Sequence, residues 1–361
     1  MYNAARRGLR IARCSRRAGS AEEVESMYLG PLVFDEIFVA KPWGGRSLAR
    51  AAAKRLPPAG RIGESWEIAD HPNGTSVVKG GPSAGRTLRE LIRAHGESLL
   101  GRKAARGRFP LLVKLLDVSD AVSLQVHPDD ACARAMKLRD CGKVEAWYVL
   151  RGGKGAWIAG GLKAASDIRK LRALAASGEL AARVRKFSAR KGDAWLCHAG
   201  TIHAFGGGVA LFEVQQNSDA TFRLYDWGRF GADGQPRELH PDEAVRAAGG
   251  RALPLRRPRP RRLRGVPFEA RRLVACDRFV MDRWRVRRGC VRSKERRFEI
   301  LHVLAGSGRL RDPRWPEVAL AKGRTVLVPA CVREYQIVPR RGARNNPRAP
   351  GLEIVRAAEP E

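Results

Sequence analysis

The amino-acid sequence predicts a mainly β protein made of two strand-rich blocks of the sandwich or barrel type. From residue 27 onward, short apolar runs recur between Gly, Pro, Asn and Asp, which is the rhythm of short strands and tight turns. Amphipathic stretches long enough for helices are few and interrupt that rhythm rather than replace it. Residues 253–264, LPLRRPRPRRLR, concentrate proline and arginine and read as a connector between the blocks.

Residues 1–26 are basic, with Arg6, Arg7, Arg10, Arg13, Arg16 and Arg17, and contain no apolar core, so they are not a secretory signal. They are expected to be a disordered extension, or to follow from a start assigned upstream of Met27. The acidic Glu22, Glu23 and Glu25 count against a transit peptide. The first block is expected over 27–252, with strands at Ser76–Lys79, Ala121–Val126, Ala146–Leu150, Ala194–Cys197 and Val209–Val214. Helices are expected over Thr87–Leu100, on Leu88, Leu91, Ile92 and Leu99, and over Ala165–Ala182, on Ile168, Leu171, Leu174 and Leu180. A third begins at 240 with HPDEAV. The connector spans 253–265, and the second block, 266–361, has its clearest strands in FEILHVLAGSGRL and VALAKGRTVLVPACVREYQIV.

Composition narrows the function. Hydrophobic residues make up 44% of the 361, too many for a disordered chain, and no apolar stretch is long enough for a membrane helix. The net charge of +32 raises the question of nucleic acid, yet 55 of the 69 basic residues are arginines scattered through every segment, with no aromatic platform beside them. Such a charge favours anionic small molecules. The seven cysteines are widely spaced and form no CxxC, which fits a reducing, cytoplasmic setting without disulfides.

Two segments point to a metal. The first is SLQVHPDD (123–130), followed by GKVE (142–145). Alternate residues of a strand share a face, so Gln125 and His127 project together, and Glu145 opens an apolar strand that could meet them as an antiparallel neighbour. The second is GDAWLCHAGTIH (192–203), in which a glycine turn precedes His203 and places it at a barrel mouth. One amide, two imidazoles and a carboxylate suit Zn²⁺ or another divalent first-row ion. A lone strand histidine is more often simply hydrogen-bonded; the combination is what carries the reading.

The segments KPWGG (41–45), GESWEIADHPNGTSVV (63–78), FPLLVKLLD (109–117), SLQVHPDD, GKVEAWYVL (142–150), HAGTIHAFGGG (198–208) and FEVQQNSDATFRLYDWGR (212–229) resemble, in this order, those of type I mannose-6-phosphate isomerases, especially the shorter bacterial form. The resemblance implies a metal-binding N-terminal cupin (β jelly-roll) domain with helical insertions, and a smaller cupin-like domain without metal. It implies one Zn²⁺ per chain on Gln125, His127, Glu145 and His203, a catalytic Arg223, pocket lysines Lys114 and Lys143, Ser123 beside the metal motif, and acidic Glu213 and Asp219. It further implies a monomer acting on a small phosphosugar, with no nucleic-acid or membrane partner. His198 and Val144 depart from the usual residues at their positions without removing a ligand.

Aldose–ketose isomerisation moves a proton between C1 and C2 through a cis-enediol. It needs an electrophile, a proton carrier and a cation for phosphate. Arg223 suits phosphate or developing charge. Lys143 and Asp219 both remain open as proton carriers. Lys114, inside the apolar run LLVKLL, is either inward-facing or snorkelling at an edge. Trp43 and Trp66 are expected to wall the site, and His302 to be structural. A non-catalytic sugar- or metal-binding cupin would lack the lysines and Arg223; an isomerase of another phosphosugar is the nearest enzymatic alternative.

Overall fold

The computed structural model describes residues 29–101, 107–230, 234–340 and 351–360, so the expected extension over 1–26 lies outside the described residues. In chain order the first block contributes β1 (Ile37–Gly45), β2 (Ile62–Ile68), β3 (Asp70–His71), β4 (Gly74–Thr75), β5 (Leu111–Val118), β6 (Leu124–Val126) and β7 (Glu145–Arg151). It continues with β8 (Trp157–Leu162), β9 (Val184–Ser188), β10 (Ala194–Cys197), β11 (His203–Gly206), β12 (Val209–Gln216) and β13 (Phe222–Tyr225). These form a six-stranded sheet, β1-β2-β5-β12-β7-β10, facing a five-stranded sheet, β13-β6-β11-β8-β9, while β3 and β4 make a small hairpin. The arrangement is the cupin-like jelly roll, with open sheet edges instead of a closed barrel.

Both faces of the larger sheet are covered, which explains its near-continuous apolar strands. One face carries Leu116, Trp147, Val149 and Leu211 into the space between the sheets. The other carries Leu115, Tyr148, Ala210 and Phe212 into a core shared with Phe279, Ile300, Leu327 and Val355 of the second block. The two blocks therefore pack as one body rather than as beads on a string. The connector is laid down, not free: Leu196 and Arg256 exchange backbone hydrogen bonds at 2.8 and 3.1 Å, and Leu255 is buried.

Several local expectations change. Ser76–Lys79 makes only isolated bridges, Val77 to Thr87 and Val78 to Phe34. The expected strand from Ala121 begins only at Leu124. The helix at Thr87 is real, Leu88–Leu100, and Thr87 with Glu90 forms a reciprocal capping box. The long helix over 165–182 is broken into Ala165–Lys170, Leu171–Ala176 and Leu180–Arg183, because Gly178 takes φ of 76° between the last two. The helix at 240 is Pro241–Ala248. The second block builds its own six- and four-stranded sheets.

Candidate active site

Strand pairing decides which side chains meet, because cross-strand partners share a face. In the smaller sheet His203 pairs with Gln125, and Gln125 with Arg223, so these three form one row. In the larger sheet Trp66 pairs with Lys114, Lys114 with Glu213, and Glu213 with Trp147. Glu145 lies two residues before Trp147 on the same face. The site is the space where these rows oppose. Glu145 thus reaches His127 and His203 across the gap between sheets, not as a neighbour within one sheet. His203 lies at 0% exposure, deep between the sheets rather than at a mouth.

His127 Nε2 lies 3.2 Å from Glu145 Oε1, and His203 Nε2 lies 3.7 Å from Glu145 Oε2. One atom from each of the three residues falls within 4.8 Å of the others. Each imidazole is oriented from behind: His127 Nδ1–H donates to the Ala220 carbonyl at 2.8 Å, and His203 Nδ1–H to the Thr201 carbonyl at 2.9 Å. Those bonds leave a lone pair on each Nε2. Burial first, then the Lys143 charge, lowers the pKa of His127; burial and His127 lower that of His203 to about 4. Burial would raise Glu145, but Lys143 and then His127 hold it well below its ordinary value.

The fit to a cation follows from this donor set. Two neutral imidazole lone pairs and a carboxylate converge in a buried space, and among the described residues His127 Nε2 has no hydrogen-bond donor. Acceptors facing acceptors are unfavourable unless a cation lies among them. The Gln125 amide lies 3.3 Å from His203 Nε2 through its nitrogen, while its Oε1 accepts from the Ser123 hydroxyl at 3.0 Å. A half-turn of the amide exchanges the two ends.

Around these donors runs a ladder of alternating charge. Lys143 Nζ sits 2.9 Å from Glu145 Oε1. Lys114 Nζ lies 3.5 Å from both Glu64 and Asp219 and 4.7 Å above the Trp66 ring. It is buried and inward-facing on a central strand, not snorkelling at an edge. Burial alone would lower its pKa; the carboxylates of Glu64, Asp219, Glu213 and Glu145 outweigh that and raise it. Burial would raise Asp219, yet Lys114 and Lys143 hold it well below the carboxylate range. Glu213, hydrogen-bonded to Trp147 Nε1 at 2.8 Å, is pushed up to about 8 by burial and by Glu145.

Arg223 lies on β13 and is half-buried, with Nε unpartnered among the described residues. Burial and then Arg237 lower its pKa. Trp43 packs in the inter-sheet core, and Trp66 Nε1 donates to Glu64 at 2.7 Å. His302 is buried on the far side of the larger sheet, with Nδ1 2.9 Å from Thr325 Oγ1. His198 lines a separate cleft with Arg251, Arg256 and Asp277. A cleft of about 910 Å³ behind the Arg139–Cys141 loop is lined by none of His127, Glu145 and His203. Glu64 and Lys41, 3.4 Å apart, were missed as site residues; alternation of Glu64 with Trp66 along GESWEI was the available signal.

Residues 33–145 match the family model described as phosphomannose isomerase type I, catalytic domain. The mannose-6-phosphate isomerase of Streptococcus mutans is 34% identical over 309 residues, covering 85% of this chain and 94% of its own. The crystal structure of the mannose 6-phosphate isomerase from Bacillus subtilis matches with a TM-score of 0.80 at 31% identity, over 91% of this chain and 99% of that one. A zinc-bound mannose 6-phosphate isomerase structure shares the fold, with a TM-score of 0.70 at 17% identity, over 91% of this chain and 99% of that one. About a third of the aligned residues are identical over nearly the whole length of such relatives, and the chain belongs to the type I mannose-6-phosphate isomerase family.

Proposed function

We propose that this chain interconverts mannose 6-phosphate and fructose 6-phosphate through a cis-enediol. It holds one divalent cation, zinc, on His127, Glu145, His203 and, after its amide turns, Gln125. The single observation that carries the reading is the buried convergence of acceptor atoms around an unsatisfied His127 Nε2. A divalent ion there supplies Lewis acidity, polarising a bound carbonyl and offsetting enediolate charge. Lys143, beside Glu145, moves the proton between C1 and C2. Asp219 is too stably ionised for that role and instead anchors Lys114. Arg223, half-buried in the Gln125 row with its Nε unpartnered among the described residues, takes the phosphate. Glu213 and Lys114 contact the sugar hydroxyls, and Ser123 holds the Gln125 amide.

A coupled assay on mannose 6-phosphate, with elemental analysis, tests this. The expected result is about one equivalent of zinc per chain, loss of turnover on chelation and recovery on adding zinc back. A metal-loaded protein that leaves mannose 6-phosphate unchanged would overturn the reading.

A further inference from the structure

The β3–β4 hairpin is tied to the active site by a closed ring of hydrogen bonds. The Asn73 N–H donates to His71 Nδ1 at 3.1 Å, which puts the ring proton on Nε2. His71 Nε2–H then donates to Asp140 Oδ1 at 2.9 Å. The other Asp140 oxygen accepts the Asp219 N–H at 2.8 Å. The Asn73 side-chain amide closes the ring on Asp219 Oδ2 at 3.0 Å. The remaining Asp219 oxygen faces Lys114. His71 is buried and stands edge-on to Trp66, the indole beneath the Lys114 ammonium.

Three segments distant in sequence meet in this ring: the hairpin, the loop that leads to Lys143, and the turn before β13. From this geometry we infer that His71, through Asp140 and Asn73, is a positioning residue that sets where the Asp219 carboxylate points and so how Lys114 is held. A neutral imidazole suits the task because it accepts on one nitrogen and donates on the other. The burial of Asp140 would raise its pKa, but the hydrogen bonds from His71 and the Asp219 amide lower it, keeping a full acceptor in the ring. The inference rests on the proposed isomerase reading only for its kinetic arm.

A double-mutant cycle between His71→Phe and Asp219→Asn tests the inference on the zinc-loaded full chain. Phenylalanine keeps the ring against Trp66 and removes both polar contacts. His71→Phe is expected to lower kcat on mannose 6-phosphate at least tenfold, with metal content unchanged. The double variant should be no slower than Asp219→Asn alone, and His71→Gln, which can still donate to Asp140, should recover part of the rate. Additive losses, or wild-type turnover in His71→Phe, would overturn the inference, since a purely structural histidine acts independently of Asp219. The crystal structure of His71→Phe supplies an arm that needs no activity. An Asp219 carboxylate displaced from Asn73 and Lys114 supports the inference, and an unmoved one overturns it. A wild-type protein inactive on mannose 6-phosphate would remove the isomerase reading and leave this structural arm to decide.

Discussion

The proposed role of Arg223 separates binding from folding at the level of one side chain. Arg223 shares the Gln125 row, is half-buried and has an unpartnered Nε among the described residues. Arg223→Ala is expected to fold and keep its metal while turnover falls about a hundredfold, a loss on the order of 3 kcal/mol for one charge-assisted contact to the transition state. Arg223→Lys should recover only part, because an ammonium cannot reproduce the planar fork. Steady-state kinetics with metal analysis decides this; near-wild-type turnover in Arg223→Ala would take the residue out of the mechanism. The proposed metal donors behave differently. His127→Ala or His203→Ala should lose the ion altogether, read as zinc per chain after dialysis, since each removes one of three converging donors.

The loop from Asp140 to Lys143 joins the ring at His71 to the donor Glu145. Its geometry depends on Gly142, where a Cβ would meet the Asp130 nitrogen at 2.4 Å and the Asp129 carbonyl carbon at 2.6 Å. Both are backbone atoms and cannot swing aside. Gly142→Ala must therefore lift the loop, straining the 2.9 Å bond from Lys143 N to the Pro128 carbonyl and shifting the Lys143 ammonium. The expected cost is about 1–3 kcal/mol of stability, together with a drop in kcat larger than the stability loss explains. Gly153→Ala, where a Cβ meets nothing within 4 Å, is the control and should change neither. Thermal melting and kinetics on the pair would show whether the loop is as rigid as the contacts imply.

The molecule as a whole is joined by a polar bridge on the face of the larger sheet that turns away from the site. Lys54 Nζ sits 2.6 Å from Glu67 Oε2, Glu67 accepts from Ser65 and Thr325 at 2.7 Å, and Thr325 meets His302. Lys54→Met would leave the Glu67 charge buried without its cation, at a cost of about 3–5 kcal/mol. Adding Glu67→Gln should return part of that. Neither change should alter kcat at a temperature where the protein stays folded, and an equal loss of activity would show that the two faces are coupled. Burial, and then the Lys54 charge, lowers the pKa of His302 from 6.5 to about 3. The unfolded chain therefore binds one more proton than the folded chain between those values, so stability falls as pH drops from 6.5 toward 3, with a slope of up to about 1.4 kcal/mol per pH unit from this group. Denaturant melts of His302→Gln across that window should show a slope shallower by about one proton; an unchanged slope would mean that His302 is not buried neutral.

The sequence by itself determined the fold class and the ordered family segments, because strand periodicity and turn chemistry are local. It also placed Lys114 in doubt for a sound reason: LLVKLL is apolar at every neighbour, and only knowledge that β5 is central, with Leu115 and Leu116 buried on opposite faces, makes its lysine inward-facing. The tertiary structure alone decided that Glu145 meets the histidines across two sheets, that Glu64 faces Lys114, and that His71 reaches Asp219 through Asp140. Each of those contacts joins residues far apart in the chain, Asn73 to Asp219 by 146 positions. Strand order, not local pattern, sets such distances, and strand order is the outcome of packing the whole core at once.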